Sequence, residues 1–485
     1  MYRALYWSSI FLVLLFSWEV SAKKPDASVR YPLSDLLEST FDNRIFKESD
    51  VALHVVNMRT KEELFAHEAD TPLIAASVTK ALTAATALRT LGSTFRFETG
   101  VYRVGEVENG VLKGDLYVKG GGDPSLEVHH LWKIAHDLRA NGISSIEGNV
   151  YYDNSLFDGD NLLYGWNKAV DIANGPAYFP MTSALSVNFN CVAIRVKAAK
   201  KAGEKAEVFI EYPSSDITID NEVKTGKTYA RPRLKLSRSY KDHDLKFKLE
   251  GIIPLEKEWT YYRTVHEPSR YFISQFQEVL AQNKIDVTGS HSTKDLPTDA
   301  VLVYTYRSPH LHSLISKMNK NSLNLYAEHI YLMLGVHQQS NSNVVVEDYL
   351  RELGVFSNGT VLKNGSGLSR SLKLSASTIS AVFSDMYDSR LVGPEFKSSL
   401  SIGGIDGTLR RRFADPIYAG KLRGKTGSLN YVYCLGTFVQ GYDGDTYAVV
   451  ILINNLKVGY SKARELQNEI LGYLLDGVTK KTETE

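Results

Sequence analysis

A serine and a lysine three residues apart, Ser77 and Lys80, stand where a helix is predicted to begin. The segment that follows contains Ala, Leu and Thr without Pro as far as Leu91, and Gly92 is a predicted stop. Residues three apart share one face of a helix, so the Ser77 hydroxyl and the Lys80 amine are expected side by side. A serine hydroxyl needs an adjacent base to act as a nucleophile. A lysine can be that base only when burial or a nearby cation disfavours its charged form.

This spacing alone is not specific. Ser21 and Lys24 have it too, beside a predicted processing site. Four letters leave open an alternative in which Ser77 is an ordinary residue at a helix N-terminus and Lys80 is solvated. The rest of the chain has to decide between these interpretations.

Two further motifs follow in a fixed order. Ser322 and Asn324 precede a predicted helix, and the run Lys425-Thr426-Gly427-Ser428 opens a predicted strand. The order S-x-x-K, S-x-N, K-T-G is typical of penicillin-binding proteins and serine β-lactamases. Three motifs in order, the first on a helix and the third on a strand, are far more specific than any one of them.

The second and third motifs also have competing copies. Lys224-Thr225-Gly226 reads K-T-G, but it precedes Ser322 and lies in a β-rich segment. Ser186-x-Asn188 and Ser428-x-Asn430 read S-x-N. Position in the chain therefore favours Ser322, Asn324 and Lys425.

The N-terminus predicts export. Arg3 precedes a short apolar run at 10–16, and the small residues Ser21 and Ala22 fit a cleavage site after Ala22. We expect a periplasmic or otherwise exported protein with no stable membrane anchor, because no later apolar stretch is long enough to span a bilayer. An uncleaved anchor is the alternative. A net charge of +1 gives no indication of nucleic acid as a partner.

Only two cysteines, Cys191 and Cys434, occur among 485 residues. An exported chain of this length does not depend on a disulfide framework with so few cysteines. Cys434 lies in an apolar run that is predicted to be a strand. Two separate buried thiols are favoured, although the sequence leaves a disulfide between them open.

Taken together, these motifs resemble those of class C low-molecular-mass penicillin-binding proteins, the D-alanyl-D-alanine carboxypeptidase/endopeptidases of serine peptidase family S13. The resemblance covers nearly the whole mature chain, and one departure is Leu323, where relatives often have Asp. The long insertion between Lys80 and Ser322 distinguishes the chain from β-lactamases. Further landmarks are Gly121-Gly122-Asp123-Pro124, Phe157-Asp158-Gly159, Ala184-Leu185-Ser186-Val187-Asn188, Asn364-Gly365-Ser366-Gly367-Leu368-Ser369 and Gly404-Ile405-Asp406-Gly407-Thr408-Leu409.

The resemblance implies an α+β fold: a penicillin-binding, transpeptidase-like (β-lactamase-like) domain with an antiparallel sheet flanked by helices, into which smaller domains are inserted. The expected divisions are a signal peptide at 1–22, a split catalytic domain at 23–97 and 296–485, an inserted domain at 98–190 and 262–295, and a nested β-rich domain at 191–261.

The resemblance also implies roles for the motif residues. Ser77 would attack the carbonyl carbon, Lys80 would take its proton, and Ser322 would relay a proton to the leaving amine. Asn324 would orient Lys80 and the substrate, and a cationic Lys425 would attract the substrate carboxylate. Thr426, Gly427 and Ser428 would bind substrate, with the backbone N–H groups of Ser77 and Ser428 as an oxyanion hole.

The implied substrates are peptidoglycan stem peptides and their cross-links, with β-lactams as inhibitors and no metal or cofactor. Asp158 is expected to bind the free amine of a diaminopimelate-type stem, with a solvated loop residue as the alternative. A serine β-lactamase and a non-catalytic wall-binding protein are the competing functions. The sequence does not determine the preference between carboxypeptidase and endopeptidase activity, nor the oligomeric state, a homodimer included.

Overall fold

The computed structural model describes residues 33–159, 175–357 and 359–477. The predicted signal peptide and its cleavage site after Ala22 lie outside these ranges. Among the described helices, none is long and apolar enough to cross a membrane.

The helices and strands are numbered here in chain order. The α-helices are α1 (Leu33–Glu38), α2 (Arg44–Glu48), α3 (Thr79–Thr90), α4 (Val128–Ala140), α5 (Pro268–Gln282), α6 (Leu311–Asn321), α7 (Asn324–Gln338), α8 (Ser342–Glu352), α9 (Ala376–Asp388), α10 (Gly393–Ser399) and α11 (Tyr460–Asp476). The strands are β1 (Asp50–Asn57), β2 (Glu63–His67), β3 (Glu98–Glu108), β4 (Val111–Lys119), β5 (Ser145–Ile146), β6 (Val150–Asp153), β7 (Cys191–Lys197), β8 (Glu207–Glu211), β9 (Ile217–Gly226), β10 (Arg233–Lys241), β11 (Asp244–Pro254), β12 (Glu258–Thr264), β13 (Asp286–Val287), β14 (His291–Thr293), β15 (Val301–Arg307), β16 (Ser401–Ile402), β17 (Leu422–Leu429), β18 (Val432–Gln440) and β19 (Thr446–Asn454).

A six-stranded antiparallel sheet supports the predicted site. Its order is β16-β17-β18-β19-β1-β2, so strands from both ends of the chain lie side by side. Strand β19 is buried on both faces, which explains its continuous apolar run instead of an alternating one. Helices α1 and α11 cover one face, whereas α3 and α9 pack on the other. The predicted α+β fold with a helix-flanked antiparallel sheet is confirmed.

Two central helices carry predicted site residues. Helix α3 buries ten of its twelve residues, and its many alanines both favour the helical state and let neighbouring helices approach closely. Residues around most of the circumference of helix α7 are buried, as is usual for a helix in the interior of a large domain.

The described residues between α3 and α6 form three further sheets. A seven-stranded mixed sheet contains β3 to β6 and β13 to β15, and the triplets β12-β7-β8 and β10-β11-β9 form the other two. Strand β15 pairs with β3, so we propose that the inserted region extends to Arg307 and not to residue 295. One hydrophobic cluster joins side chains of all three sheets. The division into an inserted and a nested domain stays a prediction.

Candidate active site

Ser77 lies in a short 3-10 turn, Ala76–Val78, that leads directly into α3. Two glycines let other segments approach this turn closely. A Cβ atom at Gly427 would lie 3.1 Å from the Ser77 nitrogen and 2.7 Å from the Ala75 oxygen. A Cβ atom at Gly367, whose φ is +75°, would lie 1.9 Å from the Ala76 oxygen. The serine is therefore clamped between β17 and the loop that contains Gly367.

Lys80 is fully buried in the first turn of α3. Its Nζ atom is 2.9 Å from Ser77 Oγ, 2.7 Å from Asn324 Oδ1 and 2.7 Å from the Ser366 carbonyl oxygen. The Asn324 amide is held in this orientation because its Nδ2 atom donates to the Tyr178 carbonyl oxygen at 2.7 Å. The structure thus brings the first two motifs together, with the Ser366 loop as a third contributor.

These three contacts constrain a neutral Lys80. The Asn324 Oδ1 atom and the Ser366 carbonyl oxygen carry no hydrogen and can only accept. A neutral amine has two N–H donors and one lone pair, so these two acceptors use both donors. The lone pair is then left for the Ser77 hydroxyl, which has to be the donor in the third contact.

The surroundings favour the neutral amine. Burial lowers the pKa of Lys80 well below its ordinary value, and the positive charge of Lys425 lowers it further. The carboxylate of Glu328 opposes this effect by raising the pKa. Burial and the Lys425 ammonium group together outweigh Glu328, so the pKa of Lys80 is lowered. The geometry and the electrostatics are thus both those of a proton acceptor beside Ser77.

Ser322 and Lys425 form a second contact pair. Ser322 follows the last residue of α6 and has a left-handed backbone conformation, with φ at 57°. The Lys425 ammonium group, on β17, donates to Ser322 Oγ at 3.0 Å and to the Thr426 carbonyl oxygen at 2.8 Å. Since Ser322 accepts here, its own hydrogen is available to another acceptor. Burial lowers the pKa of Lys425 to about 7.

A cavity of about 700 Å³ opens beside these groups. Ser77, Ser322, Asn324 and Ser428 line it, together with Tyr178, Phe179, Gly367, Leu368, Arg370, Leu429, Asn430 and Tyr460. The serine, the helix junction and β17 therefore face one space.

Strand β17 presents an unpaired edge to this region. Its neighbour β16 pairs only with Arg423 and Gly424, so from Lys425 to Leu429 the outer edge has no strand partner among the described residues. Free N–H and C=O groups on such an edge can pair with an extended peptide. Thr426 and Ser428 lie on this part of the strand.

Not every predicted residue is found at the cavity. Asp158 is exposed and has a left-handed backbone conformation directly after a 3-10 turn. It is not among the described residues that line the cavity. Lys224, the competing K-T-G lysine, is exposed on β9, in one of the inserted sheets. Asn188 caps α4, where its Oδ1 atom accepts from the Val128 backbone.

Sequence reasoning missed Glu328. This fully buried carboxylate on α7 accepts hydrogen bonds from the backbone N–H groups of Gly365 and Ser366, at 2.9 and 3.0 Å. Burial raises the pKa of Glu328, while the donors around it and the charge of Lys80 oppose the rise. Glu328 thus positions the loop whose carbonyl oxygen contacts Lys80. No motif contains it, so the sequence offered no signal.

The sequence is similar to a family of known proteins over most of its length. The profile of the D-Ala-D-Ala carboxypeptidase 3 (S13) family matches residues 33–475. A D-alanyl-D-alanine carboxypeptidase of Actinomadura sp. (strain R39) is 29% identical over 416 residues, which are 81% of this chain and 75% of the relative. The D-alanyl-D-alanine carboxypeptidase DacB of Haemophilus influenzae is 26% identical over 436 residues, 87% of this chain and 88% of that protein.

Solved structures have the same fold. Penicillin-binding protein 4 of Haemophilus influenzae superposes with a TM-score of 0.78 at 24% identity, covering 90% of this chain and 98% of the other. The same protein was also solved in complex with a β-lactam. A predatory endopeptidase of Bdellovibrio bacteriovorus has a TM-score of 0.51 at 14% identity, with 88% and 94% of the two chains covered.

The chain belongs to the D-Ala-D-Ala carboxypeptidase 3 (S13) family and is a serine-type D-Ala-D-Ala carboxypeptidase.

Proposed function

We propose that this carboxypeptidase forms an acyl-enzyme on Ser77, also cleaves peptidoglycan cross-links as a DD-endopeptidase, and is acylated by penicillins. One observation carries the proposal. The contacts of Lys80 with Asn324 and Ser366 use both donors of a neutral amine and leave its lone pair for the Ser77 hydroxyl.

This arrangement supports the following course of the reaction. Lys80 takes the Ser77 proton as Oγ bonds to the carbonyl carbon of the penultimate D-Ala. Backbone N–H groups of Ser77 and Ser428 stabilise the oxyanion, at roughly 3 kcal/mol for each donor. The C–N bond then breaks, and the leaving amine receives a proton that passes from Lys80 through Ser322. Water cleaves the ester in a second step and restores the Ser77 hydroxyl.

The free edge of β17 supports a binding mode for the substrate. The acyl part would lie extended along Ser428 to Asn430, and the leaving group would lie at Lys425 and Thr426. Main-chain hydrogen bonds of this kind provide affinity, whereas side-chain pockets provide specificity.

The substrate carboxylate and the charge of Lys425 would support each other. Burial brings the pKa of Lys425 to about 7, so a lysine without substrate is easily deprotonated. A carboxylate bound close to it, with the Thr426 and Ser428 hydroxyls as donors, raises that pKa again. Substrate and proton are then expected to bind together.

Three earlier expectations stay predictions. They are the contact of Asp158 with a stem-peptide amine, the export of the protein to the periplasm, and the lack of a stable membrane anchor. The exposed position of Asp158 permits contact with a long substrate.

Intact-mass spectrometry of the purified protein with benzylpenicillin tests the acyl-enzyme. We expect one stoichiometric, slowly lost adduct that maps to Ser77, and no adduct on a Ser77→Ala variant that retains the same circular dichroism spectrum. Release of D-Ala from a D-Ala-D-Ala peptide and cleavage of a cross-linked muropeptide dimer test the two peptidase activities.

Other results would favour the competing functions. Rapid hydrolysis of the drug without an adduct would indicate a β-lactamase. Intact drug and no adduct would contradict an acylating serine and favour a wall-binding protein. Unchanged peptidase activity of Ser77→Ala would also contradict the proposal.

A further inference from the structure

A second cavity, of about 440 Å³, adjoins the site on the other side of Ser428. Its lining combines β17, the loop after β16, the end of α6 and one residue each of β18 and α11. The lining residues are Lys320, Asn321, Gly407, Thr408, Arg410, Arg411, Arg412, Thr426, Gly427, Ser428, Tyr433 and Arg464. Five of these residues are basic, and none of the described lining residues is acidic.

Three of the basic side chains have no partner among the residues that the structure describes. Within the described ranges, no hydrogen bond or ion pair is made by the guanidinium groups of Arg410, Arg411 and Arg464, all of which are exposed. By contrast, Arg412 is buried and donates to Asn468 and other groups of α11. Arg410, Arg411 and Arg464 thus give the cavity three uncompensated positive charges.

Lys320, another cation of the lining, is already paired with a carboxylate. Its ammonium group is paired with Asp406, in the loop that also contains Arg410. Asp406 itself accepts from the Ile402 backbone at 2.8 Å. None of the described residues supplies an anion to the three guanidinium groups, which suits them to an anion from outside the chain.

The position of the cavity along β17 identifies the part of the substrate that reaches it. The cavity that contains Ser77 is lined by β17 from Ser428 onwards, whereas the second cavity is lined by Thr426, Gly427 and Ser428. In the binding mode proposed above, Thr426 lies beside the leaving group. Whatever is attached to the leaving group would therefore extend into the second cavity.

The two reactions differ at this point. A terminal D-Ala leaves with a single carboxylate, which Lys425 and Thr426 bind. The leaving group of a cross-link is a second stem peptide, an acidic peptide with further carboxylates. Exposed guanidinium groups suit such carboxylates because their planar forks can form two parallel hydrogen bonds.

We propose that Arg410, Arg411 and Arg464 form a binding site for the carboxylates of an acidic leaving-group peptide, so that the enzyme prefers cross-linked over monomeric substrates. The inference rests on the proposed function, because it takes its direction from the orientation of the substrate along β17.

The test compares two substrates and two double variants. Arg410→Gln/Arg411→Gln is measured against Lys397→Gln/Lys421→Gln, which removes the same charge from a separate cavity on the same domain. For the arginine variant we expect kcat/KM on a cross-linked dimer to fall about fivefold or more, as for one to two exposed charge pairs. The same kinetic constant on a D-Ala-D-Ala monomer, and the rate of benzylpenicillin acylation, should remain unchanged.

Salt and a further variant add independent checks. The wild-type kcat/KM on the dimer should fall with ionic strength more steeply than that of the arginine variant, since exposed charges are screened. Arg464→Gln, on a different element, should lower the same constant without affecting monomer cleavage.

The results separate the two proposals. Equal losses on both substrates, no loss on either, or an equal effect of the lysine variant would overturn the leaving-group site. A wild-type protein that is acylated and cleaves monomer but not dimer would also overturn it, while the Ser77 acyl-enzyme would stand. Absence of acylation in the wild-type protein would contradict the proposed function itself.

Discussion

The Glu328 carboxylate accepts a hydrogen bond from the Ser366 backbone N–H at 3.0 Å, and the carbonyl oxygen of the same residue accepts one from Lys80. Glu328 therefore acts on Lys80 in two ways. It holds the acceptor that orients the amine, and its negative charge raises the pKa of that amine. Substitution can separate these effects.

Glu328→Gln should slow benzylpenicillin acylation about tenfold or more, because a charged acceptor of two buried N–H groups is lost. It should also shift the acid limb of the pH–rate profile to lower pH, since removal of the carboxylate lowers the pKa of Lys80 further. A purely structural role would lower the rate without this shift. Glu395→Gln, which changes a carboxylate on α10, is the control and should leave the profile unchanged.

The pH dependence of kcat/KM should be bell-shaped. The rate rises with pH as Lys80 loses its proton, and it falls above about pH 7 as Lys425 becomes neutral. In Lys425→Arg the charge persists at all accessible pH values, so the alkaline limb should disappear even though the rate is lower. A wild-type rate that continues to rise to pH 9 would contradict a requirement for cationic Lys425.

Gly427→Ala should strongly impair acylation. The new Cβ atom would lie 2.7 Å from the Ala75 oxygen and 3.1 Å from the Ser77 nitrogen, so β17 or the serine turn has to move. A displacement of about 1 Å at a reacting group costs roughly 100-fold in rate. Stopped-flow acylation kinetics with benzylpenicillin would measure the loss.

Gly472→Ala provides a matched control for this substitution. Gly472 lies within α11, and its added Cβ atom would meet no atom within 4 Å. Alanine should raise the free energy of unfolding by about 0.5–1 kcal/mol through helix propensity. Thermal unfolding should show this gain while the acylation rate remains at the wild-type value.

Both thiols should be inaccessible in the folded protein. Cys191 and Cys434 are free and buried, and burial raises the pKa of each to about 12. Ellman's reagent at pH 8 should label neither residue in native protein and both in guanidinium chloride, with or without prior reduction. Labelling of native protein, or two thiols that appear only after reduction, would contradict separate buried thiols.

The structure brings the residues of the three predicted motifs together, while their catalytic roles stay predictions. Ser77, Lys80, Ser322, Asn324 and Lys425 each belong to a short motif, and a local element presents each motif. The contacts Lys80–Asn324 and Lys425–Ser322 then follow once the chain is folded. These residues need no knowledge of distant packing to be recognised.

The supporting residues could not be predicted in this way. A glutamate within a helix is ordinarily solvated, and only the burial of α7 on nearly all sides turns Glu328 into a buried acceptor. The segment around Ser366 is one of the landmarks of the family resemblance, but its contact with Lys80 spans 286 positions in the chain. The pairing of β15 with β3 was missed because a strand does not reveal its partner.

The split of the central sheet also determines when, during synthesis, the site around Ser77 can assemble. Strand β1 pairs with β19 along its full length, from Asp50 with Asn454 to Asn57 with Tyr447. The sheet behind Ser77 therefore cannot close until the ribosome has produced residue 454. A nascent or C-terminally truncated chain carries the serine and the lysine but no assembled site. The order of synthesis thus prevents activity until β19, the last strand of this sheet, has been made and paired with β1.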